Sequence, residues 1–579
     1  MKLKLNKKTQ STGANEIIKA LKNNNIKEVF VYPGGTIAPV LDLIEKNQIK
    51  IFCSRHEQGA GYAAIAASKI KKTPQVTMVS SGPGVTNIVT PVADAYYDSI
   101  PVVIFTGQVS QKDMKGQIKI RQKGFQETDT LSLFKSITKE CFQPKTPQEV
   151  FDVVNKAFKI AASGRPGPVL IDLPMNIQRD NFLRNDKKKI KIDKHKVEKN
   201  LKKISENDIK KIIQIIKRSS KPLILCGQGV ILSGSEKLLR KLAIKYKIPV
   251  TMSLLALGAF PTRNYLSLGF HGHTGNQAAG LAIQNCDLLI VVGSRLDLRQ
   301  VGTEVNKFAE KSKKIIRIDI DKDEISNSRV KCNINLKGDV GYILKQILKK
   351  IPKSLKNNLD WLKQIKKYKS QHQLTYQKNK SIKPQEIIEE INNLTLSKET
   401  ICVSGVGQHQ QWTARHFDFD NPKKLWFTSG GHGAMGYDLP VAIGAQYISP
   451  KKLVLCFVGD GSFQMNIQEL ASLKVYNLPL KIIVLDNNRL GIVSQFQKLN
   501  WNNDPTCGEK WNPSFSSVAK SYKIFAQTIV DRKNLKNKLK KFLNFKGPSL
   551  IHCVIDKKEE LSPMLLAGQT LDKMWKNEK

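Results

Sequence analysis

Short apolar runs that stop abruptly at Gly, Pro, Asp or Asn recur along nearly the whole chain, with amphipathic segments between them. That alternation predicts parallel sheets covered by helices. In the first third the runs are EVFVYPGG (Glu28–Gly35), TPQVTMVSSGPG (Thr73–Gly84), IPVVIFTGQV (Ile100–Val109) and GPVLIDLP (Gly167–Pro174). A second set holds KPLILCGQG, DLLIVVGSR and KIIRIDID, and a third holds TICVSGVGQHQ, KLVLCFVGDG, KIIVLDNN and PSLIHCVID. A lysine-rich stretch at about 185–200 reads as a linker after the first set, and another polar, lysine-rich region at about 352–383 separates the third. The expectation is an α/β protein of three doubly wound parallel-sheet domains, over 1–184, 204–351 and 384–579. Ligands of such sheets bind beyond the carboxyl ends of the strands, where this chain concentrates Gly, Asp and Asn.

Composition removes other classes. A chain of 579 residues needs more than one core. No stretch of about 18 uninterrupted apolar residues occurs, so no membrane span is expected. The opening MKLKLNKKTQSTGA is basic without an apolar core, so the expected location is the cytoplasm rather than a secretory route. The nine cysteines are scattered and form no Cys-x-x-Cys, which fits buried thiols rather than disulfides or zinc. A net charge of +45 raises nucleic-acid binding, but the lysines are spread throughout and no basic box is interleaved with aromatics. They read as solvated faces that also attract anionic substrates, and no nucleic-acid partner is expected.

One pair of runs carries chemistry. The first stops at Gly459-Asp460-Gly461 and the second at Asp486-Asn487-Asn488, with a helix-like segment between them. That interval suits a right-handed crossover between two parallel strands. Two strand ends that each offer an oxygen ligand suit Mg²⁺, which takes one or two protein oxygens and completes its shell with phosphate and water. Gly459 and Gly461 let a diphosphate approach the backbone. The bland alternative is two turns whose Asp and Asn cap local backbone. The helix and return strand make the Mg²⁺–diphosphate reading the more specific one.

The words SRHEQGAGYAA, SGPGVTN, SGRPGPVLIDLP, GVGQHQQW, SGGHGAMGYDLPVAIGAQ and GDGSFQMNIQEL, in this order along the chain and with GDG…NN, resemble the catalytic subunit of the acetolactate (acetohydroxyacid) synthase family of thiamine-diphosphate enzymes. The resemblance runs from YPGG to PMLLAGQTLDKM near the C-terminus. It implies two cofactor-binding domains flanking a Rossmann-like central one. It further implies a carboligase that decarboxylates pyruvate and transfers the acetaldehyde unit to a second 2-keto acid, in branched-chain amino acid biosynthesis.

By that resemblance, Asp460, Asn487 and the carbonyl of Arg489 hold Mg²⁺. Gln408 and His409 face the diphosphate, with Gly459, Gly461 and Ser462 around it. Glu57 is the carboxylate that bonds the aminopyrimidine and turns its amino group into an internal base. The carbonyl of Gly433 accepts from that amino group, Ala434 lines the turn, and Met435 props the cofactor in a bent form. Phe125, Gln126, Arg299 and Phe496 line the substrate pocket, with Arg299 suited to a carboxylate. Arg165, Gly227, Arg295, Asp319 and Asp339 match positions that contact FAD. In that family the cofactor lies between the first domain of one subunit and the third of another, so a homodimer or homotetramer is expected. A small regulatory subunit is common there, and nothing in this chain reports on it.

The chain departs from the family in the acceptor and flavin regions. Phe496 stands where a tryptophan is usual, Leu298 replaces an acid beside Arg299, and HGHTGN (His271–Asn276) replaces a GMHGT-like word. His432 replaces a smaller or apolar residue. These changes leave room for another acceptor, such as a keto sugar, or for a 2-keto acid decarboxylase or oxidase.

Overall fold

The computed structural model describes residues 8–185, 204–352, 354, 356–378, 380–503 and 511–577. Most of the stretch expected as the first linker lies outside the described residues. The first sheet uses strands β2 (Glu28–Val31), β3 (Lys50–Cys53), β4 (Gln75–Val79), β5 (Val102–Gln108), β6 (Glu140–Phe142) and β7 (Val169–Pro174). They are all parallel, in the order β3-β2-β4-β5-β7-β6. A separate antiparallel pair joins β1 (Lys8–Thr12) to β8 (Asn181–Asn185).

The second sheet contains β9 (Pro222–Cys226), β10 (Val250–Met252), β11 (Ser267–Phe270), β12 (Leu288–Val292), β13 (Lys314–Asp319) and β14 (Ile334–Lys337). Its order, β11-β10-β9-β12-β13-β14, reverses direction between β9 and β12. This is the dinucleotide-binding arrangement. The third contains β15 (Thr400–Val403), β16 (Lys424–Phe427), β17 (Leu453–Gly459), β18 (Lys481–Asp486), β19 (Phe525–Ile529) and β20 (Ser549–Val554). Its order, β16-β15-β17-β18-β20-β19, repeats that of the first sheet strand for strand. The fold is α/β, with three parallel six-stranded sheets. The central strands are buried along their length, as parallel sheets covered on both faces require.

Packing divides the chain into two compact units. One holds the described residues up to 185 together with 429–451 and 462–480. The other holds the described residues from 204 to 428, 452–461 and those from 481 onward. In the first unit the Gly/Ala-rich helix Glu57–Lys71 packs on the helix Asp438–Ile448, its small side chains allowing close approach. The second unit carries the central and third sheets, whose apolar faces join in a continuous core.

The lysine-rich region 352–383 is not only polar spacer, because Leu359–Gln371 is a helix. Trp361 and Ile365 share a face at i, i+4 and are buried, and Trp361 Nε1 donates to the Pro222 carbonyl at 3.0 Å. The lysines occupy the exposed side of that helix. The C-terminal segment likewise buries Leu565, Leu571 and Met574 in the same apolar cluster as Trp361. Among the described residues, no helix is long and apolar enough to cross a membrane.

Candidate active site

In the second unit the carboxyl ends of β15, β17 and β18 lie side by side in the sheet order and deliver Gln408, Asp460 and Asn487. Asn487 Nδ2 donates to Gln408 Oε1 at 3.1 Å, and Gln408 Nε2 donates to Gln495 Oε1 at 3.0 Å. Arg489 N donates to Asn487 Oδ1 at 3.3 Å, folding the turn back on its own amide. Two glycines are fixed by close approach. A Cβ on Gly491 would lie 1.9 Å from Gln408 Oε1, and one on Gly459 would lie 2.8 Å from the His409 ring.

Asp460 and Asp486 are both buried, and one amide bridges them. Asn512 Nδ2 donates to Asp460 Oδ2 at 2.8 Å and to Asp486 Oδ1 at 2.9 Å. On its other side Asp486 meets His552 Nε2 at 2.8 Å, from the adjacent strand β20. Burial, with the Asp486 carboxylate nearby, pushes Asp460 up to about 7. Burial acts most strongly on Asp486 and raises it, but His552, the Asn488 amide and Asn512 together outweigh burial and hold this carboxyl below its usual value. Of the three candidates in Asp486-Asn487-Asn488, Asp486 is thus engaged by Asn512, His552 and the Asn488 amide, the last at 2.8 Å. The donor set fits a hard cation: one carboxylate and one amide oxygen at neighbouring strand ends, with a second carboxylate, Asp486, close to the first. No group of three or more His, Cys, Asp or Glu side chains that could hold a metal occurs among the described residues.

The other unit carries Glu57 at the first turn of the helix Glu57–Lys71, where the helix end favours a carboxylate. Asn87 Nδ2 donates to Glu57 Oε2 at 3.0 Å. The approach to Glu57 is fixed by Glu469, which accepts from Arg55 N at 2.8 Å, and by Ser54 Oγ, which donates to the His56 carbonyl at 2.7 Å. Glu57 is buried, with Asn87 bonded to its Oε2 and His56 Nε2 3.9 Å away. In the same unit Gly433 has φ +71°, Ala434 N donates to Ser429 Oγ at 2.9 Å, and Ser462 Oγ accepts from Gly436 N at 2.8 Å. Phe125 is 84% exposed, while the neighbouring Gln126 packs against Gly82.

Three domains of thiamine pyrophosphate enzymes match the chain in order: the N-terminal TPP binding domain over residues 11–133, the central domain over 209–347 and the C-terminal TPP binding domain over 405–553. Relatives match over almost its full length. It is 35% identical to an acetolactate synthase large subunit of Cyanidium caldarium, over 97% of this chain and 96% of the relative. It is 36% identical to one of Lactococcus lactis, over 99% and 97%. The acetolactate synthase catalytic subunit of Saccharomyces cerevisiae, described as mitochondrial, is 36% identical over 97% of this chain and 83% of its own length. The chain belongs to the acetolactate synthase catalytic-subunit family.

Within this acetolactate synthase fold the remaining expected residues are distributed as follows. Arg299 and Phe496 are exposed in the second unit, Phe496 edge-on to Trp501 with ring centres 5.5 Å apart. Gly227 sits at the switch point of the central sheet, where a Cβ would meet the Gly293 carbonyl at 2.1 Å. Arg295 pairs with Asp297 at 3.3 Å, Asp319 accepts from Asp321 N at 3.0 Å, and Asp339 caps the helix Val340–Lys350. Arg165 Nε donates to Ser99 Oγ at 2.8 Å in the first unit. Reading the sequence missed Asn87, Glu469, Asn512 and His552. Asn87 ends the word SGPGVTN, Glu469 lies in GDGSFQMNIQEL and His552 in PSLIHCVID, whereas Asn512 lies in none of the words that stood out.

Proposed function

We propose that this chain is a thiamine-diphosphate-dependent carboligase that decarboxylates pyruvate and joins the two-carbon unit to a second 2-keto acid. The observation that carries the reading is the placement of Asp460 and Asn487 just past the ends of two adjacent parallel strands, in a chain related to acetolactate synthases over 97% of its length. When bound, thiamine diphosphate supplies a carbanion equivalent that adds to a keto carbonyl and accommodates the electrons left by CO₂ loss.

The chain's own residues do the rest. Asp460, Asn487 and the Arg489 carbonyl are the proposed Mg²⁺ ligands, and Gln408 and His409 line the diphosphate end with Gly459, Gly461 and Ser462. Glu57 is the proposed acid that shares a proton with the aminopyrimidine ring, and Gly433, Ala434 and Met435 form the turn that orients it. Phe125, Gln126, Arg299 and Phe496 are proposed for the substrates. FAD is proposed for the central domain, at the switch point beside Gly227, with Arg165, Arg295, Asp319 and Asp339. Its test is the visible spectrum of the purified protein. A homo-oligomer and a small regulatory subunit belong to the same proposal.

A second reading keeps the donor half and changes the acceptor. It is favoured by the exposed Phe496 and by His432, whose ring stacks on Tyr97 at 5.6 Å with planes 11° apart. The deciding experiment incubates the protein with thiamine diphosphate, Mg²⁺, FAD and pyruvate alone, and follows CO₂ and acetolactate by NMR. Acetolactate formed by wild type and lost in Glu57→Gln and Asp460→Ala is the expected result. Pyruvate consumed without acetolactate moves the assignment to another acceptor, a decarboxylase or an oxidase. Untouched pyruvate overturns the donor assignment.

A further inference from the structure

The turn that carries Gly433 and Met435 is held by side chains remote in sequence. Asp98, which ends the helix Val89–Tyr97, accepts from Gly430 N at 3.0 Å through Oδ2 and from Gly431 N at 2.7 Å through Oδ1. One helical turn earlier, Asp94 accepts from Ser429 Oγ, and the same Ser429 oxygen accepts from Ala434 N at 2.9 Å. The far side of the turn is tied in the same manner. Gly436 N donates to Ser462 Oγ at 2.8 Å, and Ser462 Oγ donates to Asp438. Asn466 Nδ2 closes the set on the Gly436 carbonyl at 2.8 Å.

All three carboxylates and both serines are buried. Burying carboxylates costs free energy unless hydrogen bonds compensate them, so their presence calls for a specific return. Here a large part of that compensation comes from the amides of one irregular turn. Nearby, Lys69 Nζ donates to Tyr437 OH at 3.1 Å and supplies positive charge within the same buried cluster. Gly431 has no room for a side chain, since a Cβ would stand 2.8 Å from Tyr97 Cβ and 3.1 Å from Asp98 Oδ1. The clamp therefore specifies both the carboxylate and the residue it grips.

We propose that Asp98, together with Asp94 acting through Ser429, is a positioning device that fixes the Gly433–Met435 turn in the geometry needed for catalysis. The proposal rests on the reading of that turn as the one that orients the aminopyrimidine. Asp98 and Asp94 act through the backbone they hold. Misplacing a catalytic contact by about 1 Å can cost about 10²-fold in rate, whereas losing a buried brace only for folding lowers stability and leaves the rate per folded site alone.

The test uses the full chain with Asp98→Asn, Ser429→Ala and Ser429→Thr. In the cofactor-free proteins, amide exchange at Gly430, Gly431 and Ala434 is expected to quicken at least about tenfold in Asp98→Asn and Ser429→Ala, with the helix Glu57–Lys71 unchanged. Turnover per active site should fall about 10- to 100-fold, with KM for pyruvate within threefold, and Ser429→Thr should recover most of it because the hydroxyl returns. Unchanged exchange with turnover within threefold of wild type overturns the proposal. So does a fall in Tm with turnover per folded site unchanged. If wild type fails to carboligate pyruvate, the functional reading fails separately, and local exchange with thiamine diphosphate affinity then decides the clamp. Faster exchange with at least about threefold weaker binding supports it, and no change in either overturns it.

Discussion

The first and third sheets have the same strand order, all parallel, yet their carboxyl ends are loaded differently. In the third sheet three adjacent strands, β15, β17 and β18, lead into Gln408, Asp460 and Asn487, with Asn487 bonded to Gln408 and Asp460 linked through Asn512 to Asp486. In the first sheet the acid comes from beyond the edge strand β3, as Glu57 on a helix end, with Asn87 as its bonded neighbour. Topology decides where the loops gather, at the switch point between the first and third strands of each set, and loop chemistry decides what is done there. One sheet has become a charged cradle and the other a single buried carboxylate.

The largest effect should come from the cradle. Asp460→Ala removes the carboxylate proposed for Mg²⁺, and turnover is expected to fall about 10³-fold or more, since a bound cation stabilises charge by several kcal/mol. Calorimetry with thiamine diphosphate should show that Mg²⁺-dependent binding has gone. Glu57→Gln should cost about 10²- to 10³-fold in turnover, in the range of a positioned proton-transfer group. It should leave Mg²⁺ and diphosphate affinity within about threefold. If Glu57→Gln abolishes Mg²⁺-dependent binding as Asp460→Ala does, the division of labour between the two sheets is broken.

A finer test concerns the residues behind the cradle. Asn512→Ala removes the amide shared by Asp460 and Asp486, and His552→Ala removes the group that steadies Asp486. Each should weaken Mg²⁺ about 10- to 100-fold in a titration followed by intrinsic fluorescence, the size typical of groups that orient metal ligands. No comparable dependence is expected from Asn87→Ala in the first sheet, and its appearance there would blur the contrast.

The sequence disclosed one half of this contrast better than the other. GDG and DNN were legible because a polar ligand at the end of a buried strand is a local signal, and the crossover length linked the two. Asn512, His552 and Asp98 were invisible because their partners are 26, 66 and more than 300 residues away, and no period in the chain reports such pairing. Apart from β10 (VTM), the interior strands were equally plain, whereas the edge strands β3 (KIFC), β6 (ECF), β11 (SLGF), β14 (INLK), β16 (KLWF) and β19 (FAQTI) were missed. β3, β6 and β14 are three or four residues long and half-exposed, so they lack the apolar run that marks a buried strand, and β10 is buried but only three residues long.

The smallest expected effect compares two buried lysines, one beside each sheet. Lys139 Nζ donates to the carbonyls of Ile160 and Ser163, at the end of the helix Val150–Ala162. Lys481 Nζ donates to those of Phe545 and Gly547, just past the helix Leu535–Asn544. In both cases burial pushes the ammonium down to about 8. A lysine whose folded value lies below its unfolded one binds its proton less tightly in the native state. Between about pH 8 and the ordinary lysine value the unfolded chain therefore holds more protons, and native stability rises with pH across that window. Lys→Met at either position should flatten that rise in urea titrations and cost about 1–3 kcal/mol at pH 7, through carbonyls left without a donor. The loss should be greater for Lys481, which is 3% exposed, than for the half-buried Lys139, whose carbonyls can recruit water. Equal losses would mean that the third sheet tolerates solvent at its amino end as readily as the first, and that its tighter construction is confined to the ends that carry the cradle.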